Sequence, residues 1–210
     1  MSRFRSFGLA IAAISVLIAS FGTSGASATT LCKEAVKFCP VGQRYEAGTK
    51  LTGSVKAGTH LQITTSIGTV TCQSGTMTST TTNTGAEPIH GTVTANSYTG
   101  CTLGGSPCTV VSEHLPWTIT ISAFNTGNGT QKFENGGFGK PRKKFTCTGF
   151  GFECASESED TFALTGGNPA IATIKQEVKV EGGPFCPSSA IMEATYEITS
   201  PKPLFFSAEP

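Results

Sequence analysis

Charge is what this sequence has least of. Only 14% of its 210 residues are charged, 15 basic against 14 acidic, where a globular chain usually carries roughly a quarter. That balance excludes a polybasic nucleic-acid binder and an acidic disordered tail. Asp160 is the only aspartate and Trp117 the only tryptophan, and there are three histidines, His60, His90 and His114. Residues 29–210 contain no Gly-x-Ser-x-Gly, so a nucleophile-elbow hydrolase is not indicated. No Cys-x2-Cys pair occurs anywhere, which argues against a zinc site.

What the chain does have is threonine, 32 residues of it, with 25 glycines and eight cysteines. The first residues read as an export leader. Arg3 and Arg5 form a positive start, Leu9 to Phe21 an apolar run, and Ala26-Ser27-Ala28 a small-residue cleavage site. A membrane span needs about 20 apolar residues, and Gly22 to Ser27 ends the run sooner. The expected organisation is therefore a signal peptide over 1–28 and one disulfide-rich β domain over 29–210. The mature chain is expected outside the cytoplasm, secreted or associated with the cell envelope, with no membrane span. Leu31 before Cys32 does not suit lipid attachment.

All eight cysteines follow the leader, and an even number in an exported chain predicts four disulfides with no free thiol. Cys32 to Cys39, Cys101 to Cys108 and Cys147 to Cys154 each enclose six residues. On a helix, residues seven apart are about 10.5 Å apart along the axis, too far to bridge, so each interval is expected to be a hairpin or compact loop. The glycines in Thr102-Leu-Gly-Gly-Ser-Pro107 and Thr148-Gly-Phe-Gly-Phe-Glu153 favour tight turns. The expected pairs are Cys32–Cys39, Cys101–Cys108 and Cys147–Cys154, with Cys72–Cys186 left by elimination. A rival scheme joins Cys72 to Cys101 and Cys108 to Cys186.

Period two dominates the rest. Trp117, Ile119, Ile121 and Ala123 alternate with Thr118, Thr120 and Ser122, and Ala190, Met192, Ala194, Tyr196 and Ile198 alternate with polar or exposed-type residues. Residues 171–180 suit either a strand or a helix, and the alternation of Ala172, Ile174, Val178 and Val180 with Lys175, Glu177 and Lys179 favours a strand. Short strands between Gly, Pro and Asn predict an all-β fold, an antiparallel β-sandwich or barrel-like sandwich braced by disulfides.

Leu31-Cys32-Lys33, Val70-Thr71-Cys72 with Ser74, Gly100-Cys101, Leu115-Pro116-Trp117, Cys186-Pro187 and Tyr196-Glu-Ile-Thr-Ser-Pro201 together give the chain its spacing. In these features it resembles a set of uncharacterised exported bacterial Cys- and Thr-rich β proteins with no assigned activity. The resemblance implies a small secreted protein and lends no function.

Candidate sites are few. Folding about a Cys147–Cys154 bridge would set Lys144 opposite Glu157 and Arg142 opposite Glu159, neutralising much of the basic run from Lys140 to Lys144. The tip of that hairpin then offers Phe150 and Phe152 as ligand-binding candidates. Exposed, they suit stacking on a sugar or wedging into a partner; tucked back, they belong to the core. A glycan-directed hydrolase needs a carboxylate pair, drawn from Glu87, Glu113, Glu134 and Glu193. The alternating threonines from Thr76 to Thr84 raise ice binding as a remote alternative, the plainer reading being an exposed edge strand with Ser79, Thr81 and Asn83 on its other face. No cofactor and no catalytic or metal residues are expected. The expected function is non-enzymatic binding of an extracellular or cell-envelope component, without nucleic acid.

Overall fold

The computed structural model describes residues 28–135 and 138–209; the expected leader lies, apart from Ala28, outside them. Alternating apolar and Thr/Ser residues hold most of the chain extended. The strands are β1 (Ala28–Cys32), β2 (Lys50–Val55), β3 (Leu61–Thr65), β4 (Gly68–Thr81), β5 (Ile89–Leu103), β6 (Ser106–Glu113) and β7 (Trp117–Asn125). They continue with β8 (Asn128–Glu134), β9 (Arg142–Cys147), β10 (Phe152–Glu157), β11 (Thr161–Thr165), β12 (Ala170–Gly182), β13 (Ser189–Ser200) and β14 (Phe205–Glu209). Among the described residues no helix is long and apolar enough to cross a membrane.

Every strand pair is antiparallel, and the sheet closes on itself twice. The long strands β4, β5, β12 and β13 run through both closures. At one level the neighbours run β3, β4, β5, β6, β9, β10, β12, β13 and back to β3. At the other they run β2, β4, β5, β7, β8, β11, β12, β13 and back to β2. This is the barrel-like form of the expected all-β sandwich. β1 and β14 pair separately as a ribbon.

Period two places the core. Trp117, Ile119 and Ile121 of β7 and Ala190, Met192, Ala194, Tyr196 and Ile198 of β13 are buried as their alternation requires. An aromatic chain crosses the interior: Trp117 to Phe133 at 5.8 Å, Phe133 to Phe162 at 5.1 Å, and Phe162 edge-on to Tyr196 at 6.0 Å. Such tilted and edge contacts set the positive ring edge against the negative face. The Trp117 indole N–H donates to the Glu113 carbonyl at 2.7 Å, so its one polar atom is satisfied. β12 is a strand, as the alternation favoured.

The cysteines pair differently from three of the four expected bonds. Cys32–Cys39 forms, but the others are Cys72–Cys101, Cys108–Cys147 and Cys154–Cys186. This corrects Cys101–Cys108, Cys147–Cys154 and Cys72–Cys186; the rival scheme was right in Cys72–Cys101 and wrong in Cys108–Cys186. The expected hairpin from 101 to 108 exists, turning through Gly104 and Gly105, both at positive φ as a two-residue reverse turn demands. Cys72, Cys101, Cys108 and Cys147 lie side by side in register across β4, β5, β6 and β9.

Hydrogen-bond alternation selects among these neighbours. Leu103 and Ser106 flank the turn as a hydrogen-bonded pair, so two residues further from the turn Cys101 and Cys108 are one too, with Cα atoms about 5.5 Å apart. A strand residue points its N–H and C=O to one side, so Cys101 meets Cys72, and Cys108 meets Cys147, as the closer non-hydrogen-bonded type. Those are the two pairs that bond, with Cα atoms 3.8 and 4.1 Å apart.

The β9–β10 hairpin is two residues tighter than expected. Cys147 faces Phe152, Lys144 faces Ala155 and Arg142 faces Glu157, in place of Lys144 against Glu157 and Arg142 against Glu159. A shift of two keeps every side chain on its face, and the shorter turn buries Phe152 beside Cys147. Cys154 is thereby freed to reach Cys186. β4 is also no edge strand: it lies between β5 on one side and β2 and β3 on the other, and Ser79 and Thr81 are buried.

A candidate binding groove at three loop tips

Three turns meet at one end of the barrel. The β3–β4 turn contributes Ser66 and Ile67, the β9–β10 turn Phe150 and Phe152, and the β12–β13 loop Pro184, Phe185, Cys186 and Pro187. Together they line a groove of about 470 Å³. Each contributing segment holds a turn former beside an apolar residue: Gly68 after Ile67, Gly149 and Gly151 around Phe150, Gly183-Pro184 before Phe185. Two of the turns are tied together, because Cys154 of β10 bonds to Cys186 of the β12–β13 loop. Gly182 makes room for that bond; a Cβ there would stand 2.5 Å from the Cys186 Sγ and 2.7 Å from the Glu153 carbonyl oxygen.

The structure divides the two phenylalanines that the sequence singled out. Phe150 is 51% exposed, while Phe152 is buried at the groove floor, with the ring centres 5.9 Å apart. Phe185, 70% exposed, and Ile67, 47% exposed, complete an apolar rim that sequence reading missed. The signal was present in Gly183-Pro-Phe-Cys-Pro187, a large ring held between turn formers beside a bridged cysteine. None of the lining side chains titrates. A second trough of about 330 Å³ adjoins the first through Ser66 and Pro187, and is bordered by hydroxyls of Thr64, Thr65, Ser188 and Ser189.

The charged candidates lie elsewhere, each engaged by a partner. Arg142 lies 2.8 Å from Glu113 and 3.3 Å from Glu157, and Lys144 sits 3.6 Å from Glu113 and 3.5 Å from Glu153. Arg142 and Lys144 are thus neutralised by both neighbouring strands, β6 as well as β10. Glu134 pairs with Lys132 and Glu193 with Lys175, while Glu87 accepts the Thr29 hydroxyl at 2.5 Å. The four candidate carboxylates, Glu87, Glu113, Glu134 and Glu193, stand on different elements and none lines the groove. His114, in the β6–β7 turn at φ 63°, donates from Nδ1 to the Lys140 carbonyl at 3.0 Å; His60 precedes β3 and His90 lies on β5. Among the described residues no group of three or more His, Cys, Asp or Glu side chains is placed to hold a metal. Thr76, Thr78 and Thr80 face outward, with Thr80 in register with Thr92 and Thr118, but the ladder between β4 and β5 shifts between Thr78 and Ser79.

The sequence also missed Lys143. Counted with the basic run, it alternates with Phe145 and Cys147 on the inner face, and its ammonium meets the Asp160 carboxylate inside the barrel. Burial works most strongly against that ammonium, but the charge and hydrogen bond of the Asp160 carboxylate, together with Tyr98, hold the amine above the ordinary lysine range. Comparison of the chain with protein-family models, with curated proteins and with solved structures found no match to any of them, and the site is read from its own geometry.

Proposed function

We propose that the chain is an exported, non-catalytic binding protein that takes a glycan of the extracellular space or cell envelope into the groove. The observation that carries this reading is the pair of exposed rings, Phe150 and Phe185, held on disulfide-tethered turns beside a hydroxyl-bordered trough. The apolar face of a sugar stacks on such rings, while hydroxyls alongside exchange hydrogen bonds with its edge. The lining has no acid or base to cleave what it holds, which favours binding over hydrolysis. Export is supported by the leader signals at Arg3, Arg5, Leu9 to Phe21 and Ala26 to Ala28, and by four disulfides, which persist in oxidising compartments.

The test is retention of the purified protein on arrays of glycans and envelope fractions, with product release read in parallel. Retention that falls at least about tenfold in the Phe150→Ala and Phe185→Ala variants is expected, each ring contributing on the order of 1–2 kcal/mol. Unchanged retention in both variants, or released product, overturns the reading. For export, N-terminal sequencing is expected to find Thr29 first; Met1 on cytosolic protein contradicts it.

A further inference from the structure

We propose that Lys143 and Asp160 are a modification site, condensing with each other into an intramolecular amide that cross-links β9 to the segment entering β11. Both side chains are sealed inside the barrel, 3% and 0% exposed, with Nζ in direct contact with Oδ2. Their backbones are fixed independently. β9 is laddered on both sides, with Lys143 opposite Ser112 and Ser156, and the Asp160 carbonyl accepts from the Phe133 N–H at 2.8 Å. Two reacting groups held in contact by a rigid frame react at a very high effective concentration.

The surroundings are largely aromatic. The Trp117 ring lies 5.4 Å from the Lys143 ammonium. Tyr98, Phe133, Phe162 and Tyr196 line with Lys143 a void of about 10 Å³, the space of a single water. Burying an ion pair in such a setting costs desolvation of both charges, and condensation removes both. The other carboxyl oxygen is prepared for attack: Oδ1 accepts from the Ser158 hydroxyl at 2.5 Å and from the Gln176 amide at 3.2 Å. Two donors on one oxygen stabilise the negative charge that develops there when a nucleophile adds to Cγ.

The step balances without an oxidant or reductant. A proton passes from Nζ to Oδ2, leaving a neutral amine and a neutral acid. The Nζ lone pair adds to Cγ, and charge gathers on Oδ1. Nζ then gives up a second proton, relayed by a tyrosine hydroxyl of the lined void, to the departing Oδ2. The Nζ–Cγ bond forms, the Cγ–Oδ2 bond breaks, and one water leaves.

Intact-mass measurement of the folded protein, reduced and denatured just before analysis, reads the result directly. The expected mass is one water, about 18 Da, below that of the linear chain, and protease digestion gives a branched peptide joining Lys143 to Asp160. Lys143→Arg and Asp160→Ala are each expected to restore the full mass. Asp160→Asn is expected to lose ammonia, about 17 Da, and to reach the same product. Ser158→Ala and Gln176→Ala leave both reacting groups in place and are expected to slow the loss. Full mass in the natively folded protein overturns the proposal, and so does a water loss confined to a peptide without Lys143, since that is closure of Asp160 on its own backbone. Because the parent chain is measured as it folds, the result holds even where the Asp160→Ala variant fails to fold.

Discussion

Arg142 stands between the carboxylates of Glu113 and Glu157, with all three side chains about one-third exposed. At that exposure each pair contributes a few tenths to about 1 kcal/mol, less in high salt. A double-mutant cycle of Arg142→Ala with Glu157→Ala, read by urea denaturation, is expected to show coupling of that size. The cycle of Lys144→Ala with Glu157→Ala is expected to be additive, because Lys144 faces Ala155; coupling there would restore the looser hairpin. Tyr196 gives a pH test. Burial, foremost, and the neighbouring Tyr98 hydroxyl push its phenol well above the usual 10.0. A raised acid is protonated longer in the folded than in the unfolded chain, so its contribution is full below pH 10 and is lost as pH rises toward the folded value. Wild-type protein is therefore expected to lose stability above pH 10 more steeply than Tyr196→Phe, as followed by alkaline denaturation with tyrosinate absorbance; equal slopes refute the assignment. At this scale the sequence was partly legible. Alternation placed Trp117 and Tyr196 inside, yet Lys143 was grouped by charge with its neighbours when its parity with Phe145 already assigned it to the interior.

Strands and turns were more legible than the bonds between them. Gly104-Gly105 announced the β5–β6 hairpin, and alternation decided strand over helix for β12. The disulfides were not legible because spacing along the chain says nothing of which strand lies on the far side of each cysteine. Once four cysteines share one row, the direction of backbone hydrogen bonding decides, and only paired strands reveal it. Digestion without reduction is expected to yield peptides joined 72 to 101 and 108 to 147; a peptide pair joined 101 to 108 would reverse the argument. The β9–β10 register slipped for a related reason, the buried position of Phe152 outweighing the symmetry of the two cysteines. Replacing Cys154 and Cys186 together by Ala is expected to cost roughly 3–4 kcal/mol by the loop-entropy relation, measured by denaturation. It is also expected to weaken retention in the groove, since the Phe185 loop loses its tether.

The groove exists because the whole barrel brings together three turns far apart in sequence, 66–67, 150–152 and 184–187. Phe150 was visible as a candidate through its local glycines; its companions were not, because closure of β3 on β13 and of β10 on β12 is long-range pairing that no local pattern encodes. The aromatic chain from Trp117 to Tyr196 holds that closure from within. Trp117→Ala is expected to cost on the order of 3–5 kcal/mol, read as a lower urea midpoint by far-ultraviolet circular dichroism; a change below about 1 kcal/mol would mean that the core repacks freely.

Closure also determines how another molecule can be recognised. A sheet with a bare margin can capture an extended peptide as one more strand, but both circuits here return to their starting strand, and a closed circuit has no margin. The terminal ribbon is occupied too: on β1 the Thr29 amide donates to the Ala86 carbonyl and the Leu31 carbonyl accepts from Tyr45, just past β1 the Lys33 amide donates to the Gln43 carbonyl, and on β14 the Phe206 carbonyl accepts from Gly127. With the backbone so committed, docking by strand addition has little foothold and recognition falls to side chains, above all those that stand out at the turns.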